Sequence, residues 1–452
     1  MKATIWKSNL NIRLQNIGEL RFQYKNTDTP EGQKHIGDVE SSLINLHPGV
    51  EYQTIGGMGG AFSESSATLW AQSSPATQHE VIKAYFDRET GIGYNFGRLS
   101  IGSCDFSIGD YSYVKENDYT LETFDISHDK KCIFPMVKEA MKYSNVQLIA
   151  SPWSPPVYMK DNGSLIGGKL KKDCYSLWAK YVKKYVEACR AEGLNLWGLT
   201  LQNEPRHHQM WESCQYTPAE EAEYLGILGK ELEGESVKLF CYDHCRERVF
   251  ERAEFVFNHP NAHYCDGIAH HWYSGTHFGE LKSLYKAYPN KLSIASEGCC
   301  AVGNGQNYRD LELGFAERYA EDICGCFSNG VNYYCDWNLV LDENNGPHHN
   351  REGRDCTADA PIHIVNDKVE YGLSYYYIGH FSKFIIPGAK VIGSSSYDSN
   401  IDTIAFKNPD GEMVAVLLNR TDDDKKCILR IDGNVAELEL DAHSIITAVV
   451  EK

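Results

Sequence analysis

Two glutamates follow apolar, strand-like segments of this chain, and their positions suggest acid–base chemistry. Glu204 follows Leu-Thr-Leu-Gln-Asn and precedes a proline, and Glu297 follows Leu-Ser-Ile-Ala-Ser and precedes a glycine. Two carboxyl groups in one cavity can break a glycosidic bond: one protonates the leaving oxygen while the other attacks or stabilises the anomeric carbon. A single glutamate at a strand end is more often an ion-pair partner or a cap. The interpretation therefore depends on the two acids lying together.

Side chains suited to holding a sugar occur at the same kind of position. Flat aromatic faces follow other apolar segments at Trp153, Trp272, Tyr273 and Trp337. Hydroxyl partners are available at Asp105 and Asn203. Any one of these aromatics is more often core packing than a ligand contact, but their shared placement favours a carbohydrate site.

The elements that must position these residues alternate between strand-like and helix-like periodicity. Strand-like segments cover 53–62, 94–102, 146–154, 196–205, 237–244, 267–273, 291–298 and 332–341. Helix-like segments cover 75–85, 128–143, 175–191, 218–233, 246–257, 280–288, 309–327 and 371–384. This pattern predicts an α/β fold, a (β/α)8 TIM barrel, with a doubly wound sheet as the alternative.

A TIM barrel builds its active site at the carboxyl ends of its strands. The strand-end residues are Glu64, Asp105, Trp153, Glu204, His244, Tyr273, Glu297 and Trp337. Strands four and seven, which carry Glu204 and Glu297, face each other across the barrel mouth. The barrel therefore predicts that these two carboxyl groups converge.

The chain beyond the barrel has the signals of a small antiparallel β-domain. Asn408-Pro-Asp-Gly joins two alternating segments, as in a hairpin, and strand-like runs follow at 427–431, 436–440 and 444–450. Residues 11–24 offer further strands. We predict a catalytic barrel over 49–385 and a β-sandwich side domain built from 386–452 together with 1–48, acting as structural support.

Composition narrows the classes of partner and compartment. The 452 residues are 42% apolar and 23% charged, which excludes a disordered polymer or a small disulfide scaffold. A net charge of −18 disfavours nucleic acid and anionic lipid and favours a small neutral substrate. No apolar run has membrane-spanning length or the form of a secretory signal, so we expect no stable membrane insertion. Fifteen cysteines without a repeating spacing indicate reduced thiols and a cytoplasmic protein.

No cofactor or metal motif is complete. Gly56-Gly-Met-Gly-Gly lacks the ending of a phosphate loop and the spacing of a dinucleotide fingerprint. Cys241 and Cys245 have no second ligand pair at metal spacing, and no His-Glu-x-x-His run is present. Cys299 and Cys300 are predicted to be buried thiols near the pocket of Glu297. We therefore predict a protein that needs no cofactor and no metal.

Several motifs, taken in order, resemble one known family. They are Gly-Gly-Met-Gly-Gly-Ala-Phe-Ser-Glu, Gly91-Ile-Gly-Tyr-Asn, Cys104-Asp-Phe-Ser-Ile, Ala150-Ser-Pro-Trp-Ser-Pro-Pro, Gln202-Asn-Glu-Pro, His271-Trp-Tyr, Ala295-Ser-Glu-Gly, Asp336-Trp-Asn-Leu and Gly379-His-Phe-Ser-Lys-Phe. Together they resemble glycoside hydrolase family 30, and within it the glucosylceramidase branch. The resemblance runs from about residue 52 to the C-terminus.

This resemblance implies a retaining exo-β-glucosidase of the glucosylceramidase type, a hydrolase of sphingolipid metabolism. It implies that Glu204 is the acid/base and Glu297 the nucleophile. It also implies that Asn203 holds the sugar 2-hydroxyl and that Tyr273 donates to the nucleophile. The residues that would line the terminal sugar site are Asp105, Trp153 and Trp337.

The specificity stays open at this point. The segment 345–358 departs from the family's usual sequence, and in the family it borders the substrate mouth. Enzyme alternatives within the family are a β-1,6-glucanase, a β-xylosidase and a β-fucosidase. A non-catalytic sugar-binding protein is the alternative from another class, and the presence of both glutamates with Asn203 argues against it.

Overall fold

The computed structural model describes residues 1–24, 43–194, 196–303, 306–349 and 357–451. Eight parallel strands close into a barrel in chain order: Gly57–Ala61, Phe96–Ile101, Gln147–Pro152, Leu196–Thr200, Lys238–Cys245, Gly267–His271, Leu292–Glu297 and Tyr333–Asn338. The eighth strand pairs with the first, Tyr333 opposite Gly57, and this pairing closes the ring. The predicted TIM barrel is confirmed, and the doubly wound alternative is excluded.

The barrel strands are buried on both faces, which explains their near-continuous apolar sequences. Every residue of Phe96–Ile101 is buried, for example. Side chains from several strands fill the interior: Phe96, Ile149, Phe240, Ala269, Ile294, Tyr333 and Cys335. This packed layer fills the barrel interior below its mouth, so a site at the mouth has a rigid base.

Helices surround the barrel. They are Glu64–Gln72, Pro75–Phe86, Ile133–Ala140, Tyr175–Ala191, Pro218–Glu231, Val249–Phe257, Phe278–Ala287, Glu312–Ser328 and Leu373–Ser382. Within the described ranges, no helix has the length and apolar character needed to cross a bilayer.

The helix Glu64–Gln72 corrects the sequence analysis, which placed Glu64 at a strand end facing the site. Ser63 caps this helix by accepting a hydrogen bond from the Ser66 amide. The Glu64 carboxylate accepts from the Ile108 amide at 3.1 Å and contacts His128 at 2.7 Å. Glu64 therefore anchors the loop after the second strand and does not face the cavity.

A second sheet takes strands from both ends of the chain. Its members are Lys2–Ser8, Gln15–Arg21, Gln23–Tyr24, Leu43–Thr54, Lys390–Ser396, Ile401–Lys407, Met413–Asn419, Lys425–Ile431, Asn434–Leu440 and Ser444–Val450. The hairpin predicted at 408–411 joins two of them. The strand Lys2–Ser8 was not predicted; it pairs antiparallel with Ser444–Val450 and places Ile5 opposite Ala448.

The sheet is fastened to the barrel through a buried histidine and an aromatic contact. The ring of His380 lies 2.8 Å from the Thr447 hydroxyl and 2.9 Å from that of Ser8. Phe406 of the sheet packs edge-on against Phe327, whose helix Glu312–Ser328 belongs to the barrel. One helix and both ends of the chain are thereby held together beside the barrel.

Candidate active site

A cavity of about 390 Å³ lies at the carboxyl ends of the barrel strands. It is lined by the seven residues to which the family resemblance gives a catalytic or sugar-binding role: Asp105, Trp153, Asn203, Glu204, Tyr273, Glu297 and Trp337. Two other candidates lie outside its lining. His244 is buried, with its ring packed against His207, and Trp272 donates its indole N–H to the Cys299 carbonyl.

Glu297 is the last residue of the seventh barrel strand, and its two carboxylate oxygens have different donors. Oε1 accepts a hydrogen bond of 2.8 Å from the Tyr273 hydroxyl. Oε2 accepts one from the Arg98 guanidinium. The carboxylate is only 9% exposed, so these contacts fix its orientation at the cavity wall.

Glu204 reaches the cavity by a route that the sequence analysis did not predict. The fourth strand ends at Thr200 and not at the predicted 205. The following residues leave the ladder because the Asn203 amide donates to the Pro152 carbonyl and the Glu204 amide donates to the Asp243 carbonyl. Glu204 adopts φ +46°, a left-handed conformation that is strained for a residue with a side chain. Such strain is typical of sites where one side chain must be aimed accurately.

His271 connects the two acids. Its Nδ1 lies 3.2 Å from Glu204 Oε1 and 3.8 Å from Glu297 Oε1. Its Nε2 lies 3.1 Å from Asp243 Oδ1. One imidazole nitrogen therefore lies close to both carboxylates, which places the two acids near each other at the Nδ1 side of the ring.

These contacts shift the pKa values of both Glu204 and His271. Burial favours the neutral form of Glu204, but the hydrogen bond and charge of His271 outweigh burial and bring the pKa of Glu204 to about 2. Burial lowers the pKa of His271, but the charge of Glu297 and the hydrogen bonds that the ring donates to Asp243 and Glu204 raise it to about 10. At rest the pair is an imidazolium beside a carboxylate.

A buried ion pair lies beneath the two acids. The Arg98 guanidinium donates to Asp243 Oδ2 at 2.8 Å and to Asn203 Oδ1 at 2.9 Å, and it also holds Glu297. Burial raises the pKa of Asp243, but the Arg98 charge and the His271 hydrogen bond hold it well below its usual range. Since the Asn203 oxygen is already an acceptor, its NH2 group is the end left to donate to a ligand.

Tryptophans form the deep wall of the cavity. The rings of Trp153 and Trp337 stack with centroids 5.4 Å apart, and Phe106 meets Trp337 edge-on at 6.1 Å. Arg98 lies over Trp153 at 4.7 Å. This aromatic wall beside the Asn203 amide matches a pyranose, which has apolar C–H faces and a polar edge.

Sequence reasoning assigned no role to Arg98, Asp243 or His271. A signal for Arg98 was present, because a charged residue inside a strand with no exposed position requires a buried partner. The partner comes from the fifth strand, and its identity depends on the register between distant strands.

A cluster of Asp110, Glu212 and His349 has ligating atoms within 4.8 Å of one another. Burial raises the pKa of Glu212, but His349 outweighs it and brings the pKa to about 2. His349 Nε2 also lies 3.1 Å from the Cys104 carbonyl oxygen, a contact that requires a protonated nitrogen. These contacts favour an ion-paired histidine over a metal ligand.

The imidazolium of His271 should make stability depend on pH. Because its pKa is about 10 in the folded protein and near 6.5 when unfolded, the stabilisation is complete below pH 6.5 and is lost as pH rises through 10. We expect the free energy of unfolding lost in His271→Asn, measured with urea, to shrink by at least about 1 kcal/mol between pH 6 and pH 10.

His380 supplies a matched control. It is also fully buried, but burial lowers its pKa to about 3, so it is neutral over this whole range. Because the imidazole of the unfolded chain releases its proton near pH 6.5, the deficit of His380→Asn should grow by about 1 kcal/mol between pH 6 and pH 8 and stay constant above that, the opposite direction to His271→Asn. A deficit for His271→Asn that also grows with pH would mean that His271 is neutral in the folded protein.

The parallel barrel, the two carboxyl groups at its mouth and the aromatic wall define a glycoside hydrolase. The family model described as "Glycosyl hydrolase family 30 TIM-barrel domain" matches residues 55–385 of this chain. The model described as "Glycosyl hydrolase family 30 beta sandwich domain" matches residues 388–448. The chain belongs to glycoside hydrolase family 30, as its motifs suggested.

Known relatives agree with this assignment. The chain is 33% identical over 408 residues to the lysosomal acid glucosylceramidase of Mus musculus, covering 84% of this chain and 78% of that one. It superposes on the crystal structure of SrfJ from Salmonella typhimurium with a TM-score of 0.92 and 31% identity, covering all of both chains. It also superposes on the endo-beta1,6-glucanase BT3312 with a TM-score of 0.85 and 27% identity, covering 100% and 99% of the two chains.

Proposed function

We propose that this glycoside hydrolase removes terminal β-D-glucosyl units with retention, by a double displacement through a glycosyl-enzyme intermediate. The observation that carries the proposal is the contact of His271 Nδ1 with both Glu204 and Glu297. It holds the two carboxyl groups at one scissile bond, and the similarity to a glucosylceramidase supports glucose as the sugar.

In the first step Glu297 is the nucleophile. Its ion pair with Arg98 and its hydrogen bond from Tyr273 suit an oxygen that must carry charge until it attacks. A Glu297 oxygen bonds to the anomeric carbon while the bond from that carbon to the leaving oxygen breaks. The leaving oxygen takes the proton of Glu204, and a glycosyl ester remains on Glu297.

The proton that Glu204 gives away can come from His271. His271 Nδ1 lies 3.2 Å from Glu204 Oε1, within hydrogen-bond distance. Because the pKa values place this proton on His271 at rest, its transfer to Glu204 must accompany departure of the leaving oxygen, and it leaves a neutral imidazole. The pair therefore acts as one proton store whose titration belongs to both residues.

In the second step Glu204 acts as the base. Forming the ester removes the charge of Glu297, so less negative charge surrounds Glu204 and His271. A water placed by the Glu204 carboxylate gives it a proton and attacks the anomeric carbon, and the ester bond to Glu297 breaks. Attack from opposite faces in the two steps restores the β configuration.

The deep end of the cavity accounts for recognition of a terminal sugar. The NH2 group of Asn203 is available to a hydroxyl beside the anomeric carbon, and Asp105 lines the same cavity. The stacked Trp153 and Trp337 close this end of the cavity. A closed end suits a glycosidase that acts on the last unit of its substrate.

A β-1,6-glucanase is the second candidate. It is favoured by the superposition on endo-beta1,6-glucanase BT3312, which extends over the whole chain. Such an enzyme would use the same two acids but bind several sugar units along the mouth.

A panel of substrates tests the proposal. We expect p-nitrophenyl β-glucoside to be hydrolysed with kcat/KM about tenfold or more above the β-xyloside and β-fucoside, since a misfitting hydroxyl costs at least one hydrogen bond. Proton NMR of the first product should show the β anomer. Preferred cleavage of internal bonds in β-1,6-glucan would favour the second candidate, and a first-formed α anomer would contradict retention.

We also propose a reducing compartment, the cytoplasm, for this enzyme. The support is that every cysteine in the described part of the chain is a free thiol, and nearly all of these thiols are buried.

A further inference from the structure

The cavity has two ends, and the two catalytic acids lie between them. The inner end is formed by the buried side chains of Trp153, Asn203 and Trp337. The outer end is formed by more exposed side chains: His207, Gln209, Trp211, Glu247 and Ser274. If the inner end holds the glycosyl unit, the group released by the reaction must occupy the outer end.

Gln209 occupies the place that the leaving oxygen needs. Its amide Nε2 donates to Glu204 Oε2 at 2.8 Å, while His271 Nδ1 faces Oε1 at 3.2 Å. Both oxygens of Glu204 therefore have a donor, and one must be released before Glu204 can protonate a substrate.

Of the two donors, Gln209 is the one able to move. His271 is fully buried and is held on its other side by Asp243 at 3.1 Å. Gln209 is half-buried on the segment between Glu204 and the helix Pro218–Glu231, and its neighbours His208 and Met210 are exposed. The position of the Gln209 amide nitrogen in the free enzyme thus marks where the leaving oxygen binds.

We propose that the leaving group is a second sugar and that Gln209 determines this specificity by moving its amide from Glu204 to a hydroxyl of that sugar. The proposal rests on the glucosidase function proposed above. A primary amide both donates and accepts hydrogen bonds, and so does a sugar hydroxyl. Glu247, which is ion-paired with Arg206 at the same end, offers a further acceptor.

Trp211 supplies an aromatic face at the outer end of the cavity. It packs against the cluster that contains Trp153 and Trp337, so an aromatic surface continues from the inner end to the outer end of the cavity. One aromatic face with polar groups opposite suits a pyranose. A lipid chain in this place would cover Gln209, Glu247 and His207 without hydrogen-bonding to them, which is unfavourable for buried polar groups.

Three glucosides with different leaving groups test the proposal: gentiobiose, in which the leaving group is a sugar, octyl β-glucoside, in which it is an alkyl chain, and 2,4-dinitrophenyl β-glucoside, which needs little acid catalysis. We expect the wild type to have a higher kcat/KM for gentiobiose than for octyl β-glucoside. In Gln209→Ala the ratio of kcat/KM for gentiobiose to that for octyl β-glucoside should fall about tenfold, the value of one hydrogen bond.

Gln215→Ala is the matched control, because Gln215 lies on the same segment and is absent from the cavity lining. In Gln215→Ala the ratio of kcat/KM for gentiobiose to that for octyl β-glucoside should equal the wild-type ratio. A wild-type preference for the octyl glucoside, or an unchanged ratio in Gln209→Ala, would overturn the sugar leaving group while leaving the glucosidase function intact. Failure to hydrolyse even the dinitrophenyl glucoside would overturn both.

Discussion

Glu297→Gln is expected to abolish turnover of every glucoside, including 2,4-dinitrophenyl β-glucoside, whose leaving group departs without a proton. An amide cannot form the glycosyl ester, so kcat should fall by about 10⁵-fold or more. The variant should still fold, because Arg98 keeps its second buried partner, Asp243, at 2.8 Å. Initial rates at saturating substrate, together with a thermal unfolding curve, check both statements.

Glu64→Gln is the control for this loss. Glu64 is also a buried glutamate near the same end of the barrel, but it is bonded to Ile108 and His128 and lies outside the cavity lining. The activity of Glu64→Gln should remain within about threefold of the wild type, since Glu64 does not contact the reacting atoms.

A 2-deoxy-2-fluoroglucoside should label the wild type on the peptide containing Glu297. Near-normal hydrolysis of an aryl glucoside by Glu297→Gln would contradict the assignment of Glu297 as the nucleophile.

Glu204→Gln is expected to separate substrates by their leaving groups. The dinitrophenyl glucoside still forms the glycosyl-enzyme, but the next step lacks a base and kcat falls by about 10² to 10⁴-fold. Azide is already an anion and needs no base, so adding it should restore kcat by about 10²-fold and yield β-glucosyl azide. Octyl β-glucoside needs acid in the first step and should not be rescued.

The configuration of the azide product distinguishes the two glutamates. A β azide from Glu204→Gln requires that Glu297 has already formed the ester and that azide attacks the opposite face. An α azide from this variant would reverse the two roles. The same addition to Glu297→Gln serves as the comparison, because azide replacing the lost nucleophile there would give the α product.

Much of the fold could be predicted because its signals are local. Alternation of apolar periods marked the eight strands and most of the helices, and the Asn408-Pro-Asp-Gly turn marked a hairpin that the structure contains. The helix Glu64–Gln72 was missed because its start, Ser-Glu-Ser-Ser, looks like a loop after a strand. The strand Lys2–Ser8 was missed because its partner is the last strand of the chain.

The cavity could be predicted as far as residues at strand ends could be recognised. Glu204, Glu297 and the tryptophans carry that signal. Arg98 and Asp243 do not, because they lie inside their strands and act through contacts between strands. His271 ends the sixth strand but was missed because that strand was predicted to run to Tyr273. Gln209 was also missed, since its contact with Glu204 depends on the course of the chain after Pro205, which no local pattern specifies.

The second sheet brings the first and last strands of this sequence side by side. The Glu451 amide donates to the Lys2 carbonyl at 3.0 Å, so the two ends are neighbours. Strand Lys2–Ser8 and its partner Ser444–Val450 are separated by nearly the whole sequence, so this pairing forms only once the intervening chain has been made. The same adjacency means that a short linker could join the ends and new termini could open elsewhere, a circular permutation that would let this sheet form from a continuous stretch of chain.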